Sequence, residues 1–220
     1  MPCGYSFGGG QQEPMNFAMS KHNAAVLDKV LGDPYMQRFV CSEFFLGGLQ
    51  VFFLQIHCLL SNLYHHLSTN NLTLKTIFPG VGFAACHLNL GRARTKLHND
   101  LKNIFFAICG IGAFGLFNHK TGAHLIMWEL GIVIEFPSGC GFLFPSATVS
   151  HANVPIGPDE SHHSAAFFTS SGNLWYFHNG FMTDKEFGAR ASMEQLEAWN
   201  AYRKELWQTG TDMLKTQPLH

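Results

Sequence analysis

Three residues in this sequence have the types and the order of an iron site. His98 and Asp100 stand two positions apart, and His151 follows about fifty positions later. Two imidazoles and one carboxylate form a facial triad, which binds non-haem Fe(II) on one face and leaves the opposite positions open for an organic cosubstrate and dioxygen. An H-x-D pair alone occurs often by chance. The segments that surround these three residues must therefore support the interpretation.

Short apolar segments separated by glycine surround the three candidates and are typical of strands. The predicted strands are 83–90, 104–114, 124–129, 132–136, 142–144 and 164–169. Their lengths and spacing indicate an antiparallel sandwich or jelly roll. We therefore predict an α+β fold with a double-stranded β-helix (jelly-roll) core over residues 78–182.

Helical segments are predicted before and after this core. Apolar residues recur at three- and four-residue steps from about His22, which indicates a helical layer over 21–70. The sequence Gly32-Asp33-Pro34 interrupts it, and a longer helix is expected to follow, with Gly47-Gly48 as its breaking point. Residues 184–214 are predicted to form a closing helix. Residues 1–20, rich in Gly, Gln and Met, are expected to be a flexible tail before a single domain over 21–220.

Composition limits the partners that can be expected. The chain has 220 residues, 46% of them apolar, which is enough for one buried core. Its formal net charge of −1 provides no general attraction to phosphate, so binding to nucleic acid would require a local basic strip. The six cysteines form no C-x-x-C pair, which indicates reduced thiols in an intracellular protein.

No membrane partner is expected from the sequence. The N-terminus lacks the basic and apolar regions of a secretory signal. The apolar run 44–60 contains Gln50, Gln55 and His57. Because a membrane span needs about 20 mostly apolar residues, this run is predicted to be a buried helix.

Three longer segments resemble one protein family. They are His98-Asn99-Asp100-Leu101-Lys102-Asn103, the segment 122–131 around Met127-Trp128-Glu129, and the segment 145–156 around Ser150-His151-Ala152-Asn153. In this order they resemble the TET/JBP-type dioxygenase-like proteins of mushroom-forming fungi. The resemblance extends from about Asn23 to Phe187 and includes the segment 173–181.

This resemblance implies an Fe(II)-dependent dioxygenase in which His98, Asp100 and His151 hold the iron. The implied substrate is a methylated base in DNA, with 5-methylcytosine first and N6-methyladenine second, and the implied compartment is the nucleus. In TET-type enzymes an asparagine contacts the target base, and it lies three positions after the metal-binding aspartate. Asn103 occupies this position. An amide both donates and accepts hydrogen bonds, which suits a flipped base. The alternative is that Asn103 closes the metal loop through an Asx turn.

The resemblance departs from the family at the cosubstrate site. The family has an arginine about eleven residues after the distal histidine, where this chain has His162. His162 and Ser164, two residues later, are the candidate contacts to the cosubstrate in this segment. Arginine is always charged and grips a carboxylate with a two-pronged fork, whereas histidine is only partly charged at neutral pH. Arg94 and Lys96 would share a face with His98 if this segment were extended. Either of them, or Arg92, is then a candidate for the missing cation.

Two other outcomes follow from the missing arginine. The cosubstrate is either a small organic acid other than 2-oxoglutarate, or catalysis is lost and only the metal site remains. The near-neutral charge also keeps open an iron oxygenase that acts on a small molecule. The third function class is a catalytically silent relative that binds nucleic acid or a protein.

Overall fold

The structure is a computed structural model that describes residues 1–78 and 80–215, with only the backbone described at Ser42 and Glu43. The strands are β1 (Pro2–Ser6), β2 (Met15–Asn16), β3 (Ala85–Asn89), β4 (Cys109–Phe114), β5 (Leu125–Met127), β6 (Ile132–Ile134), β7 (Gly141–Phe144), β8 (His151–Asn153) and β9 (His163–Phe168). The helices are α1 (Lys21–Leu31), α2 (Pro34–Arg38), α3 (Phe45–Phe52), α4 (Leu54–Asn70), α5 (Ser171–His178), α6 (Asp184–Arg190) and α7 (Met193–Leu214), with a π-helical turn at Phe39–Glu43. The predicted α+β class is confirmed.

The strands form two antiparallel sheets. One has the order β2-β1-β3-β9-β4-β7 and the other the order β6-β5-β8. An antiparallel bridge between His98 and His151 adds the segment around His98 to the free edge of β8. The pairing is nested along the chain, since β3 pairs with β9, the His98 segment with β8, β4 with β7, and β5 with β6.

The larger sheet has two different faces, because side chains alternate along a strand. One face packs against the helices, where Leu88 of β3 and Phe167 of β9 join a buried cluster with Phe45 and Leu49 of α3. A Cβ atom at Gly110 of β4 would lie 2.9 Å from the ring of Phe45, so glycine lets this helix approach the sheet. The opposite face of the larger sheet faces the smaller sheet, and residues of both sheets line the cavity described below.

The prediction of a flexible tail over residues 1–20 is wrong at Pro2–Ser6 and Met15–Asn16, which form β1 and β2. β1 pairs with β3 in the larger sheet, and the side chains of Cys3 and Tyr5 are fully buried. The glycine-rich composition of the segment suggested a flexible tail. The alternation of inward Cys3 and Tyr5 with partly buried neighbours is instead that of a strand with one buried face.

The predicted interruption of the helical layer at Gly32-Asp33-Pro34 is confirmed, since α1 ends at Leu31 and α2 begins at Pro34, but the predicted break at Gly47-Gly48 is wrong. The later interruptions are the π-helical turn and Phe53, whose φ is −138° and ψ is 43°. Gly47 and Gly48 remain helical, and a Cβ atom at Gly48 would lie 2.7 Å from Cδ1 of Leu143, so this glycine serves close packing. The closing helix is likewise divided, because Ser192 and Gln195 form a capping box that starts α7.

Among the described helices, none alone has the length and hydropathy to cross a membrane, although the bent pair Pro34–Phe52 and Leu54–Asn70 meets these criteria together.

Candidate metal centre

Backbone pairing between distant segments brings the two candidate histidines side by side. The N–H of His98 donates to the carbonyl of His151 at 3.1 Å, and the N–H of His151 donates to the carbonyl of His98 at 2.9 Å. The two imidazole centroids are consequently 4.3 Å apart. Asp100 is held separately, because its N–H donates to the carbonyl of Ser146, two residues after β7, at 3.0 Å.

The three side chains present their ligand atoms to one another. Nε2 of His98 lies 3.4 Å from Oδ1 of Asp100, and Nε2 of His151 lies 3.9 Å from Oδ2 of the same carboxylate. One ligand atom from each residue can be chosen so that all three lie within 4.8 Å of one another. This spacing allows a single metal ion to contact all three.

Hydrogen bonds on the far side of each ring determine which nitrogen can bind a metal. Nδ1 of His98 lies 2.9 Å from the carbonyl of Lys96, and Nδ1 of His151 lies 3.0 Å from the carbonyl of Val149. A carbonyl oxygen only accepts, so each Nδ1 must carry the proton and each Nε2 keeps its lone pair. Metal-binding histidines usually have this arrangement, in which the second nitrogen donates to a carbonyl or carboxylate. The donor set therefore fits Fe(II), a metal that two histidines and a carboxylate bind well.

Burial favours the ligand form of the distal histidine. The side chain of His151 is 8% exposed, and this burial is the main cause that lowers its pKa, against the raising effect of the hydrogen bond to Val149. A lower pKa keeps the imidazole neutral, as metal binding requires. The side chains of His98 and Asp100 are 39% and 37% exposed, so the site is accessible from one side.

That accessible side is a cavity of about 890 Å³ between the two sheets. All three triad residues line it, together with Ile111, Ser164 and Ala166 of the larger sheet and Leu125 and Asn153 of the smaller one. Three phenylalanines, Phe7, Phe17 and Phe168, also line it, and the ring of His87 lies 5.3 Å from that of Phe168. A second cavity of about 520 Å³ lies against the first helices and contains no triad residue.

The sequence did not predict that residues near the N-terminus line this cavity. Phe7 and Phe17 belong to the segment that was predicted to be a flexible tail, and both line the cavity. Phe7 is held from outside by Tyr176, whose ring centroid is 4.9 Å away. The signal that could have revealed this lining is the strand alternation of Pro2–Ser6, which places the following residues beside the sheet.

The candidate cations for the cosubstrate do not lie in the cavity. Among its described lining residues Lys102 is the single lysine or arginine. Arg94 and Lys96 are exposed and do not line it. The expected alternation fails because the chain bends at Leu97, so that the ring of His98 turns back to the carbonyl of Lys96.

Arg92 has a different role from the predicted one. Its guanidinium donates to the carbonyls of Ile156 at 3.2 Å, Pro158 at 2.6 Å and Glu160 at 3.1 Å. These bonds hold the loop that precedes β9. The guanidinium is thus engaged with backbone oxygens and does not line the cavity.

His162, which occupies the expected arginine position, is buried and does not belong to the described lining of the cavity. Its Nδ1 lies 2.9 Å from the carbonyl of Ala93, and its ring stands at 87° to that of Phe117. Nε2 is buried and has no hydrogen-bond partner among the described residues. Burial is the main cause that lowers the pKa of His162, so the neutral ring offers an acceptor, not a donor, at Nε2. Ser164, in contrast, does line the cavity.

Asn103 lines the cavity, but its NH2 group points to the protein. Nδ2 donates to Oγ of Ser146 at 3.3 Å and to Sγ of Cys109 at 3.4 Å. Burial raises the pKa of Cys109 to about 12, so this thiol stays protonated. The N–H of Asn103 donates to the carbonyl of Asp100 at 2.9 Å, which closes the turn after the ligand. Its NH2 group is therefore committed to Ser146 and Cys109, and only Oδ1 remains for a substrate.

Comparison with known proteins gives similarity to solved structures alone, since no protein-family model and no curated protein matches the chain. NgTET1 in complex with 5mC DNA aligns at 14% identity and a TM-score of 0.45, over 78% of this chain and 61% of that one. The viral collagen prolyl hydroxylase of Paramecium Bursaria Chlorella virus-1 aligns at 12% identity and a TM-score of 0.30, over 38% and 55%. A Pseudomonas putida prolyl-4-hydroxylase aligns at 15% identity and a TM-score of 0.33, over 58% and 92%.

This chain thus spans less than two thirds of the first two structures. At these identities and TM-scores, the functional assignment has to be argued from the geometry of the site.

Proposed function

We propose that this chain is a non-haem Fe(II)-dependent dioxygenase with a jelly-roll core in a single domain. The observation that carries the proposal is the convergence of two histidine Nε2 atoms on one carboxylate, with both Nδ1 atoms held by backbone carbonyls. The nested strand pairing supports the jelly roll. In that fold the first strand pairs with the last, the second with the last but one, and so on inward.

Iron bound by His98, Asp100 and His151 would supply the activation of dioxygen beside an organic cosubstrate. The protein holds the ligands and orients the other reactants. For the cosubstrate we propose 2-oxoglutarate or another small organic acid. Nδ2 of Asn89 donates to Oγ of Ser164 at 3.1 Å, which leaves the Ser164 hydroxyl free to donate into the cavity.

Neutral donors of this kind bind a carboxylate more weakly than an arginine fork does. A hydrogen bond to a charged group contributes roughly 1.5–3 kcal/mol, so the loss of the fork weakens binding by about ten- to a hundredfold. We therefore expect a cosubstrate affinity well below that of enzymes with the arginine.

For the substrate we propose a methylated base in DNA, with 5-methylcytosine first and N6-methyladenine second, and hence a nuclear protein. Three features support it: the resemblance of the segments around His98 and His151 to TET/JBP-type proteins, the cavity of about 890 Å³, and the phenylalanines that line this cavity. A flipped base is commonly held between aromatic side chains, which contact its faces. Oδ1 of Asn103 and the ammonium of Lys102 are then the polar groups beside it.

A small-molecule oxygenase is the second candidate, and a specific observation favours it. Lys102 is the single lysine or arginine among the described lining residues, and the formal net charge of the chain is −1. Affinity for a DNA backbone depends mainly on lysines and arginines that neutralise phosphates. A DNA-oxidising enzyme without them would have to bind its duplex weakly.

The test is a turnover assay with Fe(II), 2-oxoglutarate and oligonucleotides that carry 5-methylcytosine, N6-methyladenine or no methyl group. Nucleosides and succinate are quantified by mass spectrometry, and Asp100→Ala is the control. Oxidised nucleoside supports the DNA assignment, and succinate without it supports the small-molecule candidate. Stoichiometric metal without turnover supports a catalytically silent relative. A wild-type protein that binds no Fe(II) refutes the proposal.

A further inference from the structure

A carboxylate outside the triad contacts the residue next to the distal histidine. Glu129 lies in the turn between β5 and β6, and its Oε2 accepts from the N–H of Ser150 at 2.7 Å. Its Oε1 accepts from the Ser150 hydroxyl, and the N–H of Trp128 donates to the Ser150 carbonyl at 2.9 Å. The turn thus holds both the backbone and the side chain of the residue that precedes His151.

The same hydroxyl reaches the other half of the site. Oγ of Ser150 lies 2.8 Å from the side-chain amide of Asn99, the residue between His98 and Asp100. A hydroxyl has one hydrogen, and the carboxylate of Glu129 can only accept. The Ser150 hydroxyl therefore donates to Glu129, and the Asn99 amide, whose N and O atoms are interchangeable in assignment, must donate its N–H to Ser150.

We propose that Glu129 is a positioning residue of the metal centre, an inference that rests on the proposed iron site. Through Ser150 it fixes the start of β8, and through Asn99 it fixes the His98-x-Asp100 segment. The Asn99–Ser150–Glu129 chain, which we call the clamp, is a side-chain link that runs from one ligand segment to the other and ends on a third segment.

The backbone attachment of the His98 segment is short and leaves work for a clamp between His98 and Asp100. Two hydrogen bonds of the isolated His98–His151 bridge and one from the Asn153 N–H to the Thr95 carbonyl pair the segment with β8, and a further bond joins Asp100 to Ser146. The described backbone–backbone bonds to β8 therefore lie at and before His98, and Asn99 is held through its side chain. Metal coordination tolerates only small errors in ligand position, and residues behind the ligands usually supply that precision.

The clamp predicts different behaviour for two substitutions of Glu129. Alanine removes both acceptors and frees Ser150. Glutamine has the same shape and can keep the geometry by reversing the chain: its oxygen accepts from the Ser150 N–H, its NH2 donates to the Ser150 hydroxyl, and that hydroxyl donates to Asn99. If Glu129 acts by geometry, then Glu129→Gln retains the function that Glu129→Ala loses.

The experiment measures Co(II) binding by visible d–d absorption in four variants: Glu129→Ala, Glu129→Gln, Ser150→Ala and the control Glu135→Ala. Glu135 is matched in type but pairs with Lys120 at 2.5 Å, away from the ligand segments. We expect Glu129→Ala and Ser150→Ala to weaken Co(II) binding by about ten- to a hundredfold, the effect typical of residues that orient metal ligands. Glu129→Gln and Glu135→Ala should bind nearly as the wild type does. A fifth variant that combines Glu129→Ala with Ser150→Ala should bind Co(II) no more weakly than the worse of these two single variants.

A second measurement separates this inference from the iron site itself. Amide hydrogen exchange of 98–100 and 149–151 in the metal-free protein should accelerate in Glu129→Ala and not in Glu135→Ala. Wild-type Co(II) affinity in Glu129→Ala, or equal weakening by alanine and glutamine, overturns the clamp. If the wild type binds no metal, the proposed function fails, and unchanged exchange in Glu129→Ala then overturns the clamp as well.

Discussion

Removal of any one triad ligand should abolish stoichiometric Fe(II) binding. With three ligand atoms within 4.8 Å of one another, His98→Ala, Asp100→Ala and His151→Ala each leave an incomplete face. A site with two protein ligands has lost a large part of its coordination, so the expected result is the same for all three variants.

The magnitude can be worked out as a thermal shift. A metal present at a hundred times its dissociation constant stabilises the folded state by about 2.7 kcal/mol. For a chain of this size, each kcal/mol raises the melting temperature by about 2–4 °C. Fe(II) should therefore raise the melting temperature of the wild type by about 5–11 °C, and that of each variant hardly at all.

The metal-free variants should differ from one another, because the ligands differ in burial. The side chains of His98 and Asp100 are more than a third exposed, so their loss should change the unfolding free energy by about 0.5 kcal/mol or less. His151 is 8% exposed, contacts Phe144 and donates to Val149, so its replacement should cost about 1–3 kcal/mol.

Anaerobic thermal unfolding with and without Fe(II), together with an iron determination on the desalted protein, measures both quantities. His22→Ala, an exposed histidine on α1, is the matched control and should behave as the wild type. A triad variant that keeps full iron stoichiometry and the full thermal shift would show that its residue is not a ligand. An equal loss in the control would refute the reasoning for the whole site.

Three further predictions concern residues around the site. Asn103→Ala should cost about 1–3 kcal/mol of stability in thermal unfolding, because Ser146 loses a donor. If Asn103 also contacts the target base, the variant should lose much more of its oxidised product than of its cosubstrate turnover. Affinity for 2-oxoglutarate, followed by calorimetry, should not rise as the pH falls through the ordinary histidine pKa of 6.5, because His162 is buried outside the described lining of the cavity and burial lowers its pKa. A gain in affinity at low pH that the variant His162→Arg reproduces at neutral pH would show instead that His162 faces the cosubstrate. Tyr5→Ala should cost about 3–5 kcal/mol in denaturant unfolding because the ring is fully buried, whereas a flexible tail predicts no change.

The strands of the core could be predicted because their pattern is local. Short apolar segments bounded by turn-forming residues are typical of strands, and the predicted segment 124–129 contains β5, whereas 164–169 covers all of β9 except its first residue, His163. The strand predicted over 104–114 begins only at Cys109, because its first residues form turns that anchor Ile104 to Thr169.

The direction in which the side chains of Arg94 and Lys96 point could not be predicted from the sequence, since it depends on contacts with residues that are distant along the chain. Extended geometry would have placed Arg94 and Lys96 on the face of His98. The chain instead bends where it meets β8, with the N–H of Asn153 donating to the carbonyl of Thr95 and the Asn153 side chain accepting from the Thr95 N–H. Thr95 therefore lines the cavity in place of its charged neighbours.

The candidate triad could be predicted from the sequence even though its three residues also lie far apart along the chain. The residues between His98 and His151 contain β4 to β7, which pair as β4 with β7 and β5 with β6. When such nested pairs close, the two ends of the intervening chain must meet, and the His98–His151 bridge is the place where they meet. The spacing of the ligands is therefore a property of the whole fold, whereas their fine orientation depends on side chains such as Glu129. A substitution that shifts the register of β5 against β8 should move Ser150 and His151 together and weaken metal binding even though no ligand is changed.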